Sequence, residues 1–387
     1  MSADSVPGSG ASGPWRSSVI DDSVVRVLEP SGELVTHPEI AVDLDPSLLR
    51  TLYRDMVLTR RLDVEATALQ RQGELGLWAS SLGQEAAQVG SAHALRRDDF
   101  AFPTYRDHGA CLVRGVTPLE ILAMYRGISN GGWDPRQRGI ALPMIVIGNQ
   151  VLHAVGYAMG IQMDRMHGRQ AWADRERTAK DVASMAYFGD GASSQGDVNE
   201  AFVLAGVNQA PVVFFCQNNQ WAISLPVGRQ MGAPLVQRAS GFGLHGIRVD
   251  GNDVLAVLAV TRAALTRART GGGPTLIEAV TYRMGAHTTS DDPTRYRDAA
   301  EVEAWRARDP ILRLEAFLTN RGFIDAATKA AVDAEAEQLA ETVRHGVRGM
   351  VDPTALSIFD DVYAEPHPAI DDGRRAMAAF GEQRPDA

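Results

Sequence analysis

The sequence predicts an α/β protein with a mostly parallel sheet and helices on both faces. Short apolar segments of strand length alternate with longer segments whose apolar residues recur at helical spacing. That alternation is typical of parallel sheets, in which helices connect successive strands. Glycine and polar residues follow several predicted strands, at the sheet edge where ligands bind in such folds.

The first 45 residues predict a flexible tail followed by an extended arm. Residues 1–15 are rich in Ser, Gly and Pro, and they lack the charged segment and apolar core of a secretion signal. Asp45 and Pro46 then predict the cap of a helix over residues 48–72. We therefore expect the α/β domain to begin at residue 46.

The remaining chain divides into predicted elements in alternating order. Helical spacing predicts helices over residues 48–72, 83–94, 119–125, 151–163, 197–208, 254–268 and 310–350. Short apolar runs predict strands at residues 100–103, 183–188, 211–216, 248–249 and 275–280. A long loop rich in Gly and Arg is expected at residues 127–142. We expect one α/β domain over residues 46–300 and a helical C-terminal region over residues 301–387 packed on it.

Composition excludes several classes of protein. A net charge of −10 over 387 residues argues against nucleic acid as a partner, because phosphate binding needs a basic surface. No apolar stretch approaches the roughly 18 residues of a membrane span. Cys111 and Cys216 lie in apolar runs, which indicates buried, reduced thiols and a cytoplasmic location.

Two motifs at the ends of neighbouring predicted strands indicate a site for a metal and a diphosphate. Gly189, Asp190 and Gly191 follow one strand, and Asn219 follows the next. A carboxylate and an amide oxygen are ligands that suit Mg²⁺. The backbone N–H groups of Gly191 and Ala192 open a helix, a position that suits phosphate oxygens. Either turn alone is more often structural, so the prediction depends on the two lying side by side.

The same segment resembles a known cofactor fingerprint. In proteins that bind thiamine diphosphate, Gly-Asp-Gly is followed by Asn-Asn at a similar spacing. Residues 218–224 are, in addition, similar to the α subunit of the E1 component of branched-chain 2-oxo acid dehydrogenase complexes. The resemblance covers residues 48–363 and implies a thiamine-diphosphate-binding fold. It also implies that Asp190, Asn219 and the backbone carbonyl of Trp221 bind Mg²⁺.

Three further parts of the sequence resemble cofactor-binding parts of this family. Tyr105 and Arg106 are similar to its diphosphate-binding pair, and the guanidinium fork of arginine suits phosphate oxygens. Residues 145–150 resemble the segment that holds the aminopyrimidine ring, with Ile147 at the position that bends the cofactor. The resemblance also implies a cofactor contact for Ile223.

The sequence departs from its relatives at three points in this region. The loop before Ile147 is shorter than in the animal branched-chain proteins. Gln195 stands where relatives commonly have Glu, and Gln217 stands where some have an Arg that touches the diphosphate.

Residues 283–297 resemble the family loop that carries an active-site histidine. The resemblance implies that His287 reaches the cofactor and the incoming lipoyl group, where an imidazole can act as acid or base near neutral pH. The loop is expected to be held by charged hydrogen bonds from Arg283, Asp291, Tyr296 and Arg297. Thr288 matches a serine that is phosphorylated in animal relatives.

The resemblance implies half of an enzyme. In this family a separate β subunit supplies the glutamate beside the cofactor's pyrimidine, and no second domain here offers one. We expect an α2β2 assembly with the cofactor between subunits. It would decarboxylate branched 2-oxo acids oxidatively and transfer the acyl group to the lipoyl arm of E2.

Three alternatives bear on this interpretation. An NAD-dependent enzyme would require Gly-x-Gly-x-x-Gly after the first strand, and no such segment follows a predicted strand. A catalytically silent subunit would not need the acidic, amide, arginine and histidine residues together. An α subunit acting on pyruvate or acetoin stays open, although residues 289–292 and Asn-Asn-Gln-Trp favour the branched-chain type.

Overall fold

The computed structural model describes residues 24–38, 40–128, 132–167 and 182–383. The strands are β1 (Phe100–Phe102), β2 (Ser184–Gly189), β3 (Val212–Asn218), β4 (Trp221–Ala222), β5 (Leu225–Pro226), β6 (His245–Asp250) and β7 (Thr275–Val280). The helices are α1 (Pro46–Arg71), α2 (Glu85–Ala94), α3 (His108–Val113), α4 (Pro118–Arg126), α5 (Pro135–Arg138), α6 (Asn149–Met166), α7 (Gly196–Asn208), α8 (Val227–Gln230), α9 (Arg238–Gly241), α10 (Val254–Arg269), α11 (Ala299–Arg306), α12 (Pro310–Asn320), α13 (Ala326–Arg348) and α14 (Pro368–Gln383). The predicted tail at residues 1–15 lies outside the described residues.

One parallel sheet organises the fold. Its strand order is β1–β2–β3–β7–β6, and each neighbouring pair is parallel. Gly189 at the end of β2 lies opposite Gln217 near the end of β3. Because the two strands run in the same direction, Asp190 and Asn219 emerge at the same edge of the sheet, as the sequence predicts.

Alternate residues of the strands pack on opposite faces of this sheet. Met185 and Tyr187 of β2 join a core built with α1, α2 and α10, whereas Ala186 and Phe188 join a second core built with α6 and α7. Every residue of β3 and β7 is buried, as expected for central strands covered on both sides. The predicted α/β fold with helices on both faces is confirmed.

The chain before α1 forms an extended arm along the β6 side of the sheet. Val25 pairs with Val249 in a parallel bridge. The backbone N–H groups of Val27 and Leu28 donate to Asp253 Oδ2 at 2.8 and 2.7 Å. At the other end of the sequence, α12 and α13 pack on α1 and contribute buried side chains to the same core.

Several predicted elements differ from the structure in detail, among them the helical segment at residues 310–350, which is divided into α12 and α13. Helix α1 begins at Pro46, two residues before the predicted start, because Asp45 accepts the backbone N–H groups of Ser47 and Leu48. The loop predicted at residues 127–142 contains α5 and the buried Trp133 among its described residues.

None of the described helices combines the length and the apolar character needed to cross a bilayer.

Candidate active site

A cavity of about 300 Å³ lies at the carboxyl ends of β2 and β3. The residues that the sequence predicts for the site all line it: Tyr105, Arg106, Ile147, Gly189, Asp190, Gly191, Ala192, Asn219, Trp221, Ile223 and His287. They lie on separate loops that the parallel sheet brings to one edge. The position agrees with the general rule that ligands bind beyond the carboxyl ends of parallel strands.

Asp190 is a buried carboxylate with only neutral hydrogen-bond donors. Its Oδ2 accepts from Gln230 Nε2 at 2.9 Å, and its Oδ1 accepts from the backbone N–H of Asn219 at 3.3 Å. Burial raises the pKa of Asp190 to about 6. Within the described residues this carboxylate forms no ion pair. A buried carboxylate that has no cation at ion-pair distance, and on which Arg283 acts only as a minor Coulombic influence, suits a bound divalent cation.

The other two predicted metal ligands lie beside Asp190 and already have protein donors. Asn219 Oδ1 accepts the backbone N–H of Trp221 at 3.2 Å. The carbonyl oxygen of Trp221 accepts from Arg283 Nη1 at 3.2 Å. Each of these oxygens has a second lone pair for a cation. In the part of the chain that the structure describes, no cluster of three or more His, Cys, Asp or Glu side chains could hold a metal elsewhere.

Gly191 is required by a neighbouring hairpin. A Cβ at position 191 would lie 2.7 Å from the Cβ of Ala222, which belongs to the β4–β5 hairpin. The sequence predicts a role only for the backbone N–H of this residue, as a donor to phosphate oxygens. The structure shows that close packing of Ala222 already excludes any side chain there.

Ile223 lies at the turn of the same hairpin in an unusual conformation. Its φ is 54°, a region that β-branched residues rarely adopt. Such a conformation costs on the order of 1–3 kcal/mol and is found mainly where the surroundings impose it. Here Arg283 Nη2 donates to the Ile223 carbonyl at 2.7 Å and fixes the turn against the cavity.

Arg106 joins the loop after β1 to the loop of His287. Its Nη2 donates to the carbonyl oxygen of His287 at 2.8 Å, and its Nη1 donates to the carbonyl oxygen of Ser80. The rings of Tyr105 and His287 meet edge-on with their centroids 6.3 Å apart. The predicted diphosphate-binding pair and the predicted catalytic histidine therefore share one wall of the cavity.

The imidazole of His287 is neutral at physiological pH. Burial lowers its pKa to about 4, and the guanidinium groups of Arg106 and Arg283 contribute in the same direction. The carboxylate of Asp291 accepts the backbone N–H of His287 at 2.8 Å and opposes this shift less strongly. The sequence left both protonation states open, and the structure selects the neutral one.

The loop of His287 is held by the residues that the sequence predicts. The hydroxyl of Tyr296 donates to Asp291 Oδ2, and Arg283 Nη2 donates to the Tyr296 hydroxyl oxygen at 3.1 Å. Arg297 donates to the carbonyl oxygens of Met284 and Gly285 at 3.0 and 3.2 Å. These hydrogen bonds confirm the predicted loop-holding role.

Several polar residues of the site were given no role by the sequence analysis. Gln84 accepts from Asn219 Nδ2 at 3.2 Å, and Gln230 contacts Asp190. Gln217, which stands where some relatives have Arg, donates to Asp107 Oδ1 and accepts from Gln88 Nε2 at 3.1 Å. Gln84 lies in a segment that the sequence interprets only as the start of a helix, and the contact becomes visible only in the fold.

Residues 53–347 match the family described as dehydrogenase E1 component. The chain belongs to this family. It is 45% identical over 361 residues to the 3-methyl-2-oxobutanoate dehydrogenase subunit alpha of Mycobacterium tuberculosis (strain ATCC 25618 / H37Rv), covering 93% of this chain and 95% of that relative. It is 40% identical over 316 residues to the pyruvate dehydrogenase E1 component subunit alpha of Bacillus cereus, covering 81% of each.

A further relative is the pyruvate dehydrogenase E1 component subunit alpha of Bacillus subtilis (strain 168), which is 38% identical over 315 residues. The family resemblance seen in the sequence is therefore confirmed. The E1 components are thiamine-diphosphate-dependent enzymes that decarboxylate 2-oxo acids oxidatively.

Proposed function

We propose that this chain is the α subunit of a branched-chain 2-oxo acid dehydrogenase E1 component that binds thiamine diphosphate and Mg²⁺ in the cavity. The buried Asp190 carboxylate, without an ion-pair partner among the described residues, carries this proposal, since a cation would complete its surroundings. Asp190, Asn219 and the carbonyl of Trp221 would hold the metal. The bound cofactor supplies the carbanion-stabilising chemistry of decarboxylation.

The remaining lining residues have separate roles in the proposal. Tyr105 and Arg106 would bind the diphosphate, together with the backbone of residues 189–192. Ile147 and Ile223 are 41% and 54% exposed, and they offer apolar surface to the organic part of the cofactor. His287 would meet the acyl group and the lipoyl arm, because it is the only histidine among the described residues that line the cavity.

An exposed apolar surface supports a β subunit as partner. Ile145 and Val146, next to the cavity residue Ile147, are 77% and 65% exposed. The consecutive residues Ile145, Val146 and Ile147 thus expose apolar surface beside the cavity, as residues of a protein interface often do. The proposed assembly is an α2β2 heterotetramer in the cytoplasm, which delivers its acyl product to a lipoyl-bearing E2.

Identity supports a branched-chain substrate over pyruvate. The Mycobacterium tuberculosis relative, named for 3-methyl-2-oxobutanoate, is matched at 45% over 93% of this chain, whereas the Bacillus cereus relative, named for pyruvate, is matched at 40% over 81%. Pyruvate is the second candidate substrate, because relatives named for pyruvate are 40% and 38% identical to this chain.

A substrate comparison tests the proposal. The chain is co-purified with a β subunit from the same organism, and dye reduction is followed with thiamine diphosphate and Mg²⁺. We expect 3-methyl-2-oxobutanoate to be the better substrate by kcat/KM. A preference for pyruvate of more than about tenfold, or 1.4 kcal/mol in transition-state binding, would overturn the substrate assignment. Reduction with neither substrate would favour a silent structural subunit.

A further inference from the structure

Gln84 is a buried side chain of the cavity whose amide is only half used. It is 1% exposed and stands immediately before α2. Its Oε1 accepts from Asn219 Nδ2 at 3.2 Å. Its Nε2 is buried and has no hydrogen-bond partner among the described residues. Buried donors are nearly always paired in folded proteins, so this one calls for an acceptor.

The orientation of the Gln84 amide follows from its neighbours. The backbone N–H of Trp221 donates to Asn219 at 3.2 Å, so the atom of Asn219 that faces Trp221 is the oxygen Oδ1. Asn219 therefore turns its NH₂ group toward Gln84, and only the oxygen of Gln84 can receive it. Turning the Gln84 amide around would place two NH₂ groups against each other. Gln84 Nε2 is thus directed away from Asn219.

The chemistry of the surroundings identifies the missing acceptor. Gln84 lines the cavity, and its side chain contacts Asn219, which holds the metal in the proposed function. The ligand group beside the metal is the diphosphate, whose oxygens are strong acceptors. Gln217, at the position where some relatives have Arg, has both amide atoms engaged with Asp107 and Gln88.

We propose that Gln84 donates a hydrogen bond through Nε2 to a phosphate oxygen of bound thiamine diphosphate. This inference rests on the proposed function of the cavity. A hydrogen bond to a charged acceptor contributes more than one between neutral groups. Gln84 would therefore contribute to diphosphate affinity and hardly to recognition of the thiazolium and pyrimidine rings.

Two substitutions separate the donor from the packing of the side chain. Gln84→Glu keeps an oxygen for Asn219 Nδ2 but replaces the donor by an acceptor, and it adds a charge that repels phosphate. Gln84→Met keeps the volume and removes both polar atoms. Gln72→Met makes the same chemical change at an exposed position at the end of α1, outside the residues that line the cavity.

Calorimetry of the α–β assembly in Mg²⁺ gives the readout, with thiamine diphosphate and unphosphorylated thiamine as ligands. We expect Gln84→Met to weaken thiamine diphosphate binding about tenfold and Gln84→Glu to weaken it more. The thiamine affinity of the Gln84 variants should change by less than about threefold, which is within the contribution of one neutral hydrogen bond. The thiamine diphosphate affinity of Gln72→Met should change by no more than that. The melting temperature without ligand checks that each variant is folded.

The outcomes distinguish this inference from the proposed function. Suppose that the wild-type assembly binds thiamine diphosphate and that both Gln84 variants bind it within twofold of wild type. The role of Gln84 is then overturned, because its Nε2 would donate to a structural water instead, and the proposed function stands. An equal loss of thiamine and thiamine diphosphate affinity also overturns it. If the wild-type assembly binds no thiamine diphosphate in Mg²⁺, the proposed function itself fails.

Discussion

Arg106 Nη2 lies 3.2 Å from Nδ1 of His287 and 2.8 Å from the backbone carbonyl oxygen of the same residue. Arg283 Nη1 approaches the same Nδ1 at 3.3 Å. Guanidinium groups only donate hydrogen bonds, so Nδ1 must be the acceptor. A neutral imidazole with an accepting Nδ1 carries its hydrogen on Nε2. His287 is therefore prepared to donate a hydrogen bond from Nε2.

The first prediction concerns this tautomer. In the assembly labelled with ¹⁵N-histidine, His287 should show a hydrogen on Nε2 and an unprotonated Nδ1 at neutral pH. Because its pKa is lowered to about 4, chiefly by burial, no protonation should be seen above pH 5. The His287→Gln spectrum assigns the signal. An imidazolium signal at pH 7 would contradict the predicted state.

The second prediction concerns metal binding and pH. Burial raises the pKa of Asp190 to about 6, so below this pH the carboxyl group is protonated and a cation has to displace the proton. The affinity for Mn²⁺, which stands in for Mg²⁺, should therefore fall by roughly tenfold per pH unit below 6. Electron paramagnetic resonance measures the Mn²⁺ affinity. The cofactor is left out, because its phosphate groups would titrate in the same pH range. Asp190→Asn should bind weakly at every pH, and a wild-type affinity that stays constant from pH 7 to 5 would remove Asp190 from the metal site.

The third prediction concerns Asp63, which organises the segment of residues 78–82. Its carboxylate accepts from Trp78 Nε1 at 2.7 Å, Ser80 Oγ at 2.6 Å and the backbone N–H of Ser81 at 3.1 Å. That segment in turn accepts the backbone N–H groups of Met284 and Thr289, which lie on either side of His287, at 3.1 and 2.9 Å.

Asn at position 63 has the same shape but a weaker acceptor capacity. Asp63→Asn should therefore loosen the loop of His287 and speed amide hydrogen exchange across residues 284–289 by about tenfold, as expected for a loss of about 1.4 kcal/mol. Asp43→Asn is the control, because Asp43 is exposed and pairs only with Arg262 among the ion pairs of the described residues. Unchanged exchange in the loop would show that Asp63 does not position it.

The fourth prediction concerns the strained turn at Ile223. A left-handed conformation costs an L-residue about 1–2 kcal/mol, whereas glycine adds about 0.4–1 kcal/mol of conformational entropy to the unfolded chain. Since the strain is the larger effect, Ile223→Gly should be more stable than Ile223→Ala by up to about 1 kcal/mol. Alanine is the matched control because it removes the side chain but keeps the strain. Urea unfolding measures the difference, and a less stable glycine variant would exclude strain at this turn.

Much of the fold was predictable because it depends on patterns that are local in sequence. The buried strands β2 and β3 read as apolar runs, and their order along the chain predicts that Asp190 and Asn219 lie at one sheet edge. The cap of α1 at Asp45 was readable from the residue types alone. The site residues that resemble family motifs were identified for the same reason.

Other features were not predictable because they join residues that are far apart in sequence. Gln84 contacts Asn219 across 135 positions, and Trp78 contacts Thr289 across 211. Single polar contacts of this kind leave no periodic signal. The crowding of Gly191 by Ala222 was missed for the same reason, because the hairpin that carries Ala222 folds back only in three dimensions.

The central claim, that Asp190 holds the metal through which this cavity binds thiamine diphosphate, is tested most directly by titrating the cofactor into the α–β assembly in a calorimeter. The measurement compares wild type, Asp190→Ala and the exposed control Asp361→Ala, each with Mg²⁺ and with EDTA. We predict binding by wild type and Asp361→Ala in Mg²⁺ only, and no Mg²⁺-dependent binding by Asp190→Ala. Equal affinity of Asp190→Ala and wild type in Mg²⁺ would contradict the account.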